Sequence, residues 1–271
     1  MRLPLSSGLL AFCLGTLQAS PIALTPGSLL VQQASINPIG TGTIVDYTKS
    51  GTASATSATN GFFDLPENLT VLGGNLFVSD GSGRVNRMNL STGAVTSSFS
   101  VGAVGLNGLG TYNGNLLTLN FSSTAISVYS VAGVLLQSIA LASHPPSLDW
   151  NGIASDGTTF YLADSPSGRL YEYATNGALL GFLQTGAVGG LAGVSYDPAN
   201  NSLWIANSSA NRVEELSISG AVLSQFSTGA FRPSAGIAVV PLGVPEPSYR
   251  ELLAMALALL VVLKNRSAAR L

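Results

Sequence analysis

Two stretches, Phe160-Tyr161-Leu162-Ala163-Asp164 and Leu203-Trp204-Ile205-Ala206-Asn207, decide the fold because they are copies of one pattern. Each is a short apolar run that ends in Asp or Asn. The same pattern occurs at 76–80 and 116–120, so that the four copies begin 40, 44 and 43 residues apart. A period of about 40 residues is typical of a repeat architecture in which each repeat is one supersecondary unit.

The spacing inside the repeat is constant. A glycine follows each terminal Asp or Asn by thirteen residues, and these glycines are Gly93, Gly133, Gly177 and Gly220. One strand fits between the terminal Asp or Asn and the glycine, another follows the glycine, and a further strand precedes the apolar run. Four short strands per repeat predict one blade of a β-propeller. A β-sandwich or a solenoid would also contain many short strands, but neither explains the constant interval.

The composition agrees with an all-β domain. The chain of 271 residues contains 31 Gly and 13 Pro, and only 9% of its side chains are charged, which favours many strands joined by tight turns. The formal net charge is -2, so the chain has no basic surface that would attract a polyanion. Nucleic acid is therefore excluded as a partner.

The two ends of the repeat region complete each other. Residues 29–33, 44–48 and 52–56 match the second, third and fourth strands of a blade, so this first blade lacks its innermost strand. The missing strand is found at 235–239, which is similar to the inner strand at 151–155. Pairing the two ends removes exposed strand edges. We therefore predict an all-β, five-bladed β-propeller over residues 24–241, closed by its N- and C-terminal strands.

Two resemblances follow from the repeat. Residues 162–170 and 205–213 resemble NHL-type repeats, and residues 151–165 are similar to the gluconolactonase-like propellers. The second resemblance implies a divalent cation at the mouth of the central channel, held by carboxylate and amide oxygens from the innermost strands, which suits a hard cation.

The corresponding positions in this chain contain one carboxylate and two amides. Glu67, Asn107 and Asn151 are the candidate ligands of a Ca²⁺ ion in the channel, with Ala192 and Ala235 in the two remaining blades. The other interpretation is that the amides cap strand ends or bond to turn backbones, in which case the protein has no cofactor.

Other polar residues are expected to be structural, and no catalytic residue is assigned. Asp and Asn side chains at the ends of the second strands should bond to their own turn backbones. The arginines that follow these turns are expected to pair with them, and two adjacent glutamates are expected to be rim charges. The residues concerned are Asp80, Asn120, Asp164 and Asn207, then Arg84, Arg169 and Arg212, and finally Glu214 and Glu215.

The N-terminal segment has the features of a secretory signal. Met1-Arg2 is followed by an apolar stretch at 9–17 and by the small residue Ala19, which predicts a signal peptide over 1–19. The single cysteine, Cys13, lies inside it, so the mature chain is expected to contain no disulfide.

The C-terminal segment begins with a proline-rich box. Val244, Pro245, Glu246 and Pro247 are followed by an apolar run at 252–263 and by Lys264, Arg266 and Arg270. Proline stops the last strand. A helix of twelve apolar residues is about 18 Å long, against a hydrocarbon core of about 30 Å, which predicts a hydrophobic helix that anchors temporarily rather than a permanent span. The alternative is a buried amphipathic helix that closes the domain.

This order of parts resembles the PEP-CTERM sorting signal of Gram-negative bacteria, over residues 244–271. The resemblance implies an exosortase-type processing enzyme, transient contact with the inner membrane, and export to the cell envelope, the cell surface or the extracellular matrix. It also implies an association with exopolysaccharide. Arg250 and Glu251 depart from the pattern because most members stay apolar there.

Together these features predict an exported, non-catalytic surface or matrix protein that binds a small ligand, a glycan or a protein at one face, with exopolysaccharide or surface proteins as partners. The alternative function is a metal-dependent, lactonase-like hydrolase. A third interpretation is a structural component of the matrix without a saturable ligand.

Overall fold

The computed structural model describes residues 21–22, 24–34, 42–58, 66–102, 105–145, 149–228 and 232–242. Within these ranges every regular element is a β-strand. No helix among these residues has the length and hydropathy that a membrane span requires. The predicted signal peptide, the proline-rich box and the C-terminal hydrophobic helix lie outside the described residues.

The described strands form five antiparallel sheets of four strands each. In chain order they are β1 (Leu29–Ala34), β2 (Gly42–Tyr47), β3 (Ala53–Ala58), β4 (Pro66–Leu72), β5 (Asn75–Asp80), β6 (Arg84–Met88), β7 (Val95–Ser100), β8 (Leu106–Tyr112), β9 (Asn115–Asn120), β10 (Ala125–Tyr129), β11 (Leu135–Ala140), β12 (Trp150–Ser155), β13 (Thr159–Asp164), β14 (Arg169–Ala174), β15 (Leu179–Gln184), β16 (Leu191–Asp197), β17 (Ser202–Asn207), β18 (Arg212–Ser217), β19 (Val222–Ser227) and β20 (Arg232–Val239).

Each sheet is one blade of a β-propeller, as the repeat predicted. Blade 1 has the order β20-β1-β2-β3, and blades 2 to 5 are β4–β7, β8–β11, β12–β15 and β16–β19. The inner strands β4, β8, β12, β16 and β20 contact one another around the whole ring. The prediction of an all-β, five-bladed propeller is confirmed.

The ring is closed by its two ends. In blade 1, β20 pairs with β1 in antiparallel fashion, with Leu29 opposite Val239 and Val31 opposite Ile237. The predicted pairing of the ends is therefore confirmed. The inner strands β4 and β8 begin at Pro66 and at Leu106, one residue before a register shift at Glu67 and at Asn107.

The propeller has two distinct faces. Because each blade is an antiparallel meander, the turns after its first and third strands lie on one face, whereas the turns after its second strand and the links between blades lie on the other. We call the face where the inner strands begin the upper face, and the face where they end the lower face. The described chain ends at Leu242, directly after β20, and therefore leaves the ring on the lower face.

The core lies between the blades. All six residues of β17 are buried, and five of six in β13, because each of these strands is covered by both neighbouring blades. One cluster joins Leu117 and Ile126 of blade 3 to Trp150 and Phe160 of blade 4. Burying a large apolar side chain contributes roughly 1.5–3 kcal/mol, so blade contacts of this kind hold the ring together.

Glycines allow the inner strands to approach closely. A Cβ atom on Gly110 would lie 2.4 Å from the carbonyl oxygen of Ile153 in the next blade. A Cβ atom on Gly152 would lie 2.9 Å from the backbone nitrogen of Val194, and one on Gly236 would lie 2.8 Å from that of Leu69. Residues with side chains would force the inner strands apart at these points.

We expect Gly110→Ala to lower the free energy of unfolding by about 1–3 kcal/mol, because the added methyl group has to displace the backbone of β12. Thermal unfolding followed by circular dichroism measures the change. Ser138→Ala on the exposed strand β11 is the control and should stay within about 0.5 kcal/mol of the wild type. Equal midpoints for the two variants would contradict the packing argument.

Candidate functional site

The upper mouth of the channel contains the predicted metal-binding positions. Glu67, Asn107, Asn151 and Ala192 each lie at the register shift of their inner strand, where one residue is inserted between two paired residues. A β-bulge of this kind changes the direction of the side chain. The repeat therefore located four equivalent backbone positions in four blades. For Glu67 only the backbone is described.

Two of the three candidate ligands contact each other. Nδ2 of Asn107 donates a hydrogen bond to Oδ1 of Asn151, at 3.0 Å. Sequence reasoning missed a third amide, Asn68, which is fully buried. Its Nδ2 donates to the backbone carbonyl oxygens of Asn107 and of Asn151, both at 3.0 Å. Its Oδ1 accepts from the backbone N–H of Leu69, at 2.8 Å.

Asn68 thus links blade 2 to blades 3 and 4 at the upper mouth. The carbonyl oxygens of Asn107 and Asn151, which are hard ligands suited to Ca²⁺, accept hydrogen bonds from this amide instead. Across the described residues, no group of three or more His, Cys, Asp or Glu side chains is placed to hold a metal ion. The Ca²⁺ site at Glu67, Asn107 and Asn151 stays a prediction.

The lower mouth of the channel is a small neutral cavity. Its volume is about 130 Å³, and all five inner strands line it. The polar side chains in its wall are those of Thr70, Thr111, Ser155, Ser195 and Tyr196, and none of the lining residues is charged. A cavity of this size and polarity can hold a few water molecules or a small neutral group.

Backbone hydrogen bonds tie the turns of the upper face to the links between blades. Each bond joins a turn after a second strand to a neighbouring link, so that together they form a belt around blades 2 to 5. The bonds run from Gly105 N to Gly81 O, Phe121 N to Gly105 O, Trp150 N to Phe121 O, Ser165 N to Asp149 O, Gly189 N to Ser165 O, and Ser208 N to Gly190 O. This belt makes the upper face a defined surface rather than a set of independent loops.

The Asp and Asn residues at the ends of the second strands order these turns, as predicted. Oδ1 of Asp80 accepts from the backbone N–H of Ser82 at 3.1 Å and of Arg84 at 3.0 Å. Oδ1 of Asn120 accepts from the N–H of Ser122 at 3.1 Å. The equivalent Asp164 and Asn207 bond to Ser167 and to Ala210 in the same manner. These residues are structural.

The expected pairing of the arginines with these residues is wrong in blades 4 and 5. Nε of Arg212 donates to Oε1 of Glu214 at 2.6 Å. The guanidinium carbon of Arg169 lies 4.1 Å from the ring centre of Phe182, a cation–π contact. Arg212 therefore reaches along its own strand, and Arg169 reaches across its blade to β15.

The expectation that Glu214 and Glu215 are rim charges is also wrong. Their exposed fractions are 1% and 8%. Glu214 accepts from Asn207 and Arg212, and Glu215 accepts from the hydroxyl groups of Ser202 and Ser224, at 2.8 and 2.9 Å. A buried carboxylate needs such donors, and here they come from neighbouring strands of blade 5.

One aromatic side chain on the upper face is partly exposed to solvent. Phe121, in the turn between β9 and β10, is 43% exposed. Part of its ring covers Gly105, where a Cβ atom would lie only 2.4 Å from the ring. The backbone of Phe121 belongs to the belt, so its position is set from both sides. The remaining ring surface is available to a ligand.

Two titratable groups lie in the link between β11 and β12 on the same face. His144 is exposed, and its Nδ1 lies 3.0 Å from the carbonyl oxygen of Pro145. Asp149 precedes Trp150, and burial, together with the negative charge of Asp164, raises the pKa of its carboxyl group. Neither group is aligned with a nucleophile in the described part of the chain.

A pair of acidic residues, Asp156 and Glu172, lies towards the lower face. The hydroxyl group of Tyr161 donates to Oδ2 of Asp156 at 3.0 Å. Burial raises the pKa of Asp156, but hydrogen bonds from Thr158, Thr159 and Tyr161 outweigh it and hold the pKa below its usual range. Burial, and then the charge of Asp156, raises the pKa of Glu172.

These features define a five-bladed propeller. Hydrogen bonds between asparagine residues join its blades at the upper mouth, and the lower mouth is a neutral cavity. No protein-family model matches the chain, and a search of curated proteins also finds no match. The fold is similar to a chain of the nidogen–laminin complex, with a TM-score of 0.53 and 15% identity over 79% of this chain and 98% of that chain. It is also similar to glutaminyl cyclase of Myxococcus xanthus, with a TM-score of 0.51 and 16% identity over 69% of this chain and 88% of that chain.

A further solved structure, virginiamycin B lyase of Staphylococcus aureus, gives a TM-score of 0.46 and 10% identity over 84% of this chain and 89% of that chain. The neighbours are propellers of the NHL- and YVTN-like type. At these identities the likeness concerns the fold alone, because one propeller scaffold carries enzymes, binding modules and structural proteins.

We expect Asn68→Asp to destabilise the protein strongly at pH 7 and less at pH 4. At pH 7 the carboxylate would face two carbonyl oxygens without a proton to donate, whereas a protonated carboxyl group can donate to one of them. The folded state therefore raises the pKa of the new group, and stability falls as the pH rises through the range between its unfolded and folded pKa values. Urea unfolding at the two pH values measures the difference.

Asn176→Asp is the matched control. Oδ1 of Asn176 accepts from the backbone N–H of Ala178 in an exposed turn, at 3.0 Å, and a carboxylate can accept this bond equally well. This variant should show no extra loss at pH 7. If Asn68→Asp had the same pH dependence as Asn176→Asp, the amide of Asn68 would not bridge the blades.

Proposed function

We propose that the chain is an exported, non-catalytic β-propeller of the bacterial envelope that binds matrix glycans through its upper face. The signal-like segment at 1–19 and the PEP-CTERM-like segment at 244–271 support export and sorting. On this proposal an exosortase-type enzyme processes the chain at the inner membrane, and the propeller then acts at the cell surface or in the extracellular matrix.

The observation that carries the proposed orientation is the position of Leu242. The described chain leaves the ring at this residue on the lower face, ten residues before the apolar run at 252–263. A membrane-bound tail would therefore lie below the ring. The upper face, with its belt of bonded turns, would point away from the membrane and towards the matrix.

The chemistry of the upper face suits a hydroxyl-rich ligand. Its turns contain many short neutral side chains. Six of the seven turn serines donate their hydroxyl proton within this face, and their oxygens can still accept hydrogen bonds from sugar hydroxyl groups. Phe121 offers a flat apolar surface on which the C–H face of a pyranose ring can stack. Arg84 is exposed near the same face and would add attraction for an acidic sugar. Serines of the turns are Ser82, Ser122, Ser123, Ser165, Ser167, Ser208 and Ser209.

One arrangement favours the alternative function, a metal-dependent, lactonase-like hydrolase. Asn107 and Asn151 are in contact at the upper mouth, and Glu67 occupies the equivalent backbone position in blade 2. A cation that also used the backbone carbonyl oxygens of Asn107 and Asn151 would require the amide of Asn68 to move away from them. The binding function needs no such rearrangement, and we therefore prefer it.

We expect Phe121→Ala to weaken glycan binding at least tenfold without lowering the melting temperature by more than a few degrees. The probe is an array of neutral and uronic-acid-containing oligosaccharides, followed by calorimetry with the best binder. Leu136→Ala, which removes an exposed apolar side chain from an outer strand, is the control and should bind normally. Absence of any saturable binding would favour the purely structural role. Turnover of a lactone that depends on a divalent cation and on Glu67 would favour the hydrolase.

Mass spectrometry of the protein from envelope fractions of the producing cells tests the processing. We expect a mature chain that lacks residues 1–19 and ends soon after Glu246. An intact C terminus at Leu271 in those fractions would contradict cleavage by an exosortase-type enzyme.

A further inference from the structure

Three neighbouring blades carry exposed apolar pairs on their outer strands. Each pair occupies the first two positions of the fourth strand. The turn before this strand contains the glycine that follows the terminal Asp or Asn of the second strand by thirteen residues. The six residues, which we call the apolar sector, are Leu135, Leu136, Leu179, Leu180, Val222 and Leu223. Their exposed fractions range from 39% for Leu179 to 60% for Leu180. Apolar residues scattered singly over a surface are ordinary, but here the same two positions are apolar and exposed in three consecutive blades.

The sector is confined to blades 3, 4 and 5. The equivalent positions are Ala53 and Ser54 in blade 1, and Val95 and Thr96 in blade 2. The cations found near the lower face, Lys49 and Arg87, also lie in blades 1 and 2. Among the described residues of blades 3 to 5, the two cations are Arg169 and Arg212, which begin the third strands at the upper face. The ring therefore has an apolar side and a polar side.

The apolar sector begins on the same face that the C-terminal chain leaves. By the alternation of the meander, the turns before these three strands lie on the lower face. In blade 1 the ion pair between Lys49, in the corresponding turn, and Asp197, at the end of β16, agrees with this placement. Leu242, which is 61% exposed, leaves the ring beside Lys49 and Asp197.

The chain that follows keeps this face near the apolar run. Residues 243–251 separate Leu242 from the run at 252–263, and at about 3.3 Å per residue they reach at most roughly 30 Å. A propeller tethered so closely samples the bilayer surface at a high effective concentration, so even a weak apolar attraction is sufficient for contact.

From this geometry we propose that the apolar sector of blades 3 to 5 rests on the interface of the lipid bilayer while the tail is inserted. The ring then tilts with its apolar side towards the membrane and its polar side away from it. This rests on the proposed membrane contact of the tail. Asp156 and Glu172 lie in blade 4 near the same face, so the sector fits a zwitterionic lipid surface better than an anionic one.

Depth-dependent quenching tests the contact with the full chain in phosphatidylcholine vesicles that contain brominated lipids. With Cys13 changed to Ser, single cysteines replace Leu136, Leu180 or Leu223, and each carries an environment-sensitive fluorophore. Ser54→Cys and Thr96→Cys are the matched controls at equivalent positions of blades 1 and 2. Leu259→Cys reports on the insertion of the tail. All five propeller positions lie on outer strands, so the variants should fold.

We expect at least twofold stronger quenching at the three sector positions than at the two controls, unchanged in 0.5 M salt because the contact is apolar. Equal quenching at all five positions would overturn the proposal, even if the label at 259 is quenched. An unquenched label at 259 would instead refute the membrane contact of the tail, and the sector labels would still decide the docking. Pyrene excimers at the sector positions without lipid quenching would identify a second copy as the occupant and would also overturn it.

Discussion

Everything in this structure depends on the close approach of five inner strands around one axis. The backbones come so near that Gly110, Gly152 and Gly236 each lack the space for a methyl group. The amide of Asn68 then bonds to carbonyl oxygens of two other blades at once. The five strands leave a small neutral cavity at the lower mouth. The narrow channel thus accounts for both the rigidity of the ring and the limited size of any ligand inside it.

The constant interval of the repeat has its physical origin at the periphery. The glycine of each turn before an outer strand has a positive φ, for example 83° at Gly133 and 88° at Gly51. In blades 1, 3, 4 and 5 it also lies directly against the outer strand of the preceding blade, with Phe99 beside Gly133 and Phe226 beside Gly51. Conformation and packing both require glycine. Because Phe226 belongs to blade 5 and Gly51 to blade 1, the same contact is present at the closure.

The sequence predicted the architecture well because the fold is repetitive. Apolar runs such as 160–164 and the recurring glycines indicate strands and turns locally, and the incomplete first blade indicates closure with 235–239. The side-chain partners could not be predicted in the same way. The role of Asn68 could not be predicted because it depends on the register shift at the neighbouring residue. Glu214 and Glu215 looked exposed because their donors, such as Ser202 and Ser224, come from other strands.

The closure also sets the order of events during folding. Leu29 pairs with Tyr47 on one side, but its partner on the inner side is Val239, so the inner edge of the first strand waits for the last strand. Joining ends that are roughly 200 residues apart carries a large loop-closure entropy, and contacts this distant in sequence form late and slowly. Until β20 arrives, β1 presents an unpaired edge that can recruit a stray strand. A chain that emerges N-terminus first would remain an open arc until nearly all of it has appeared, and whatever holds its trailing end in place shortens the search that completes the circle.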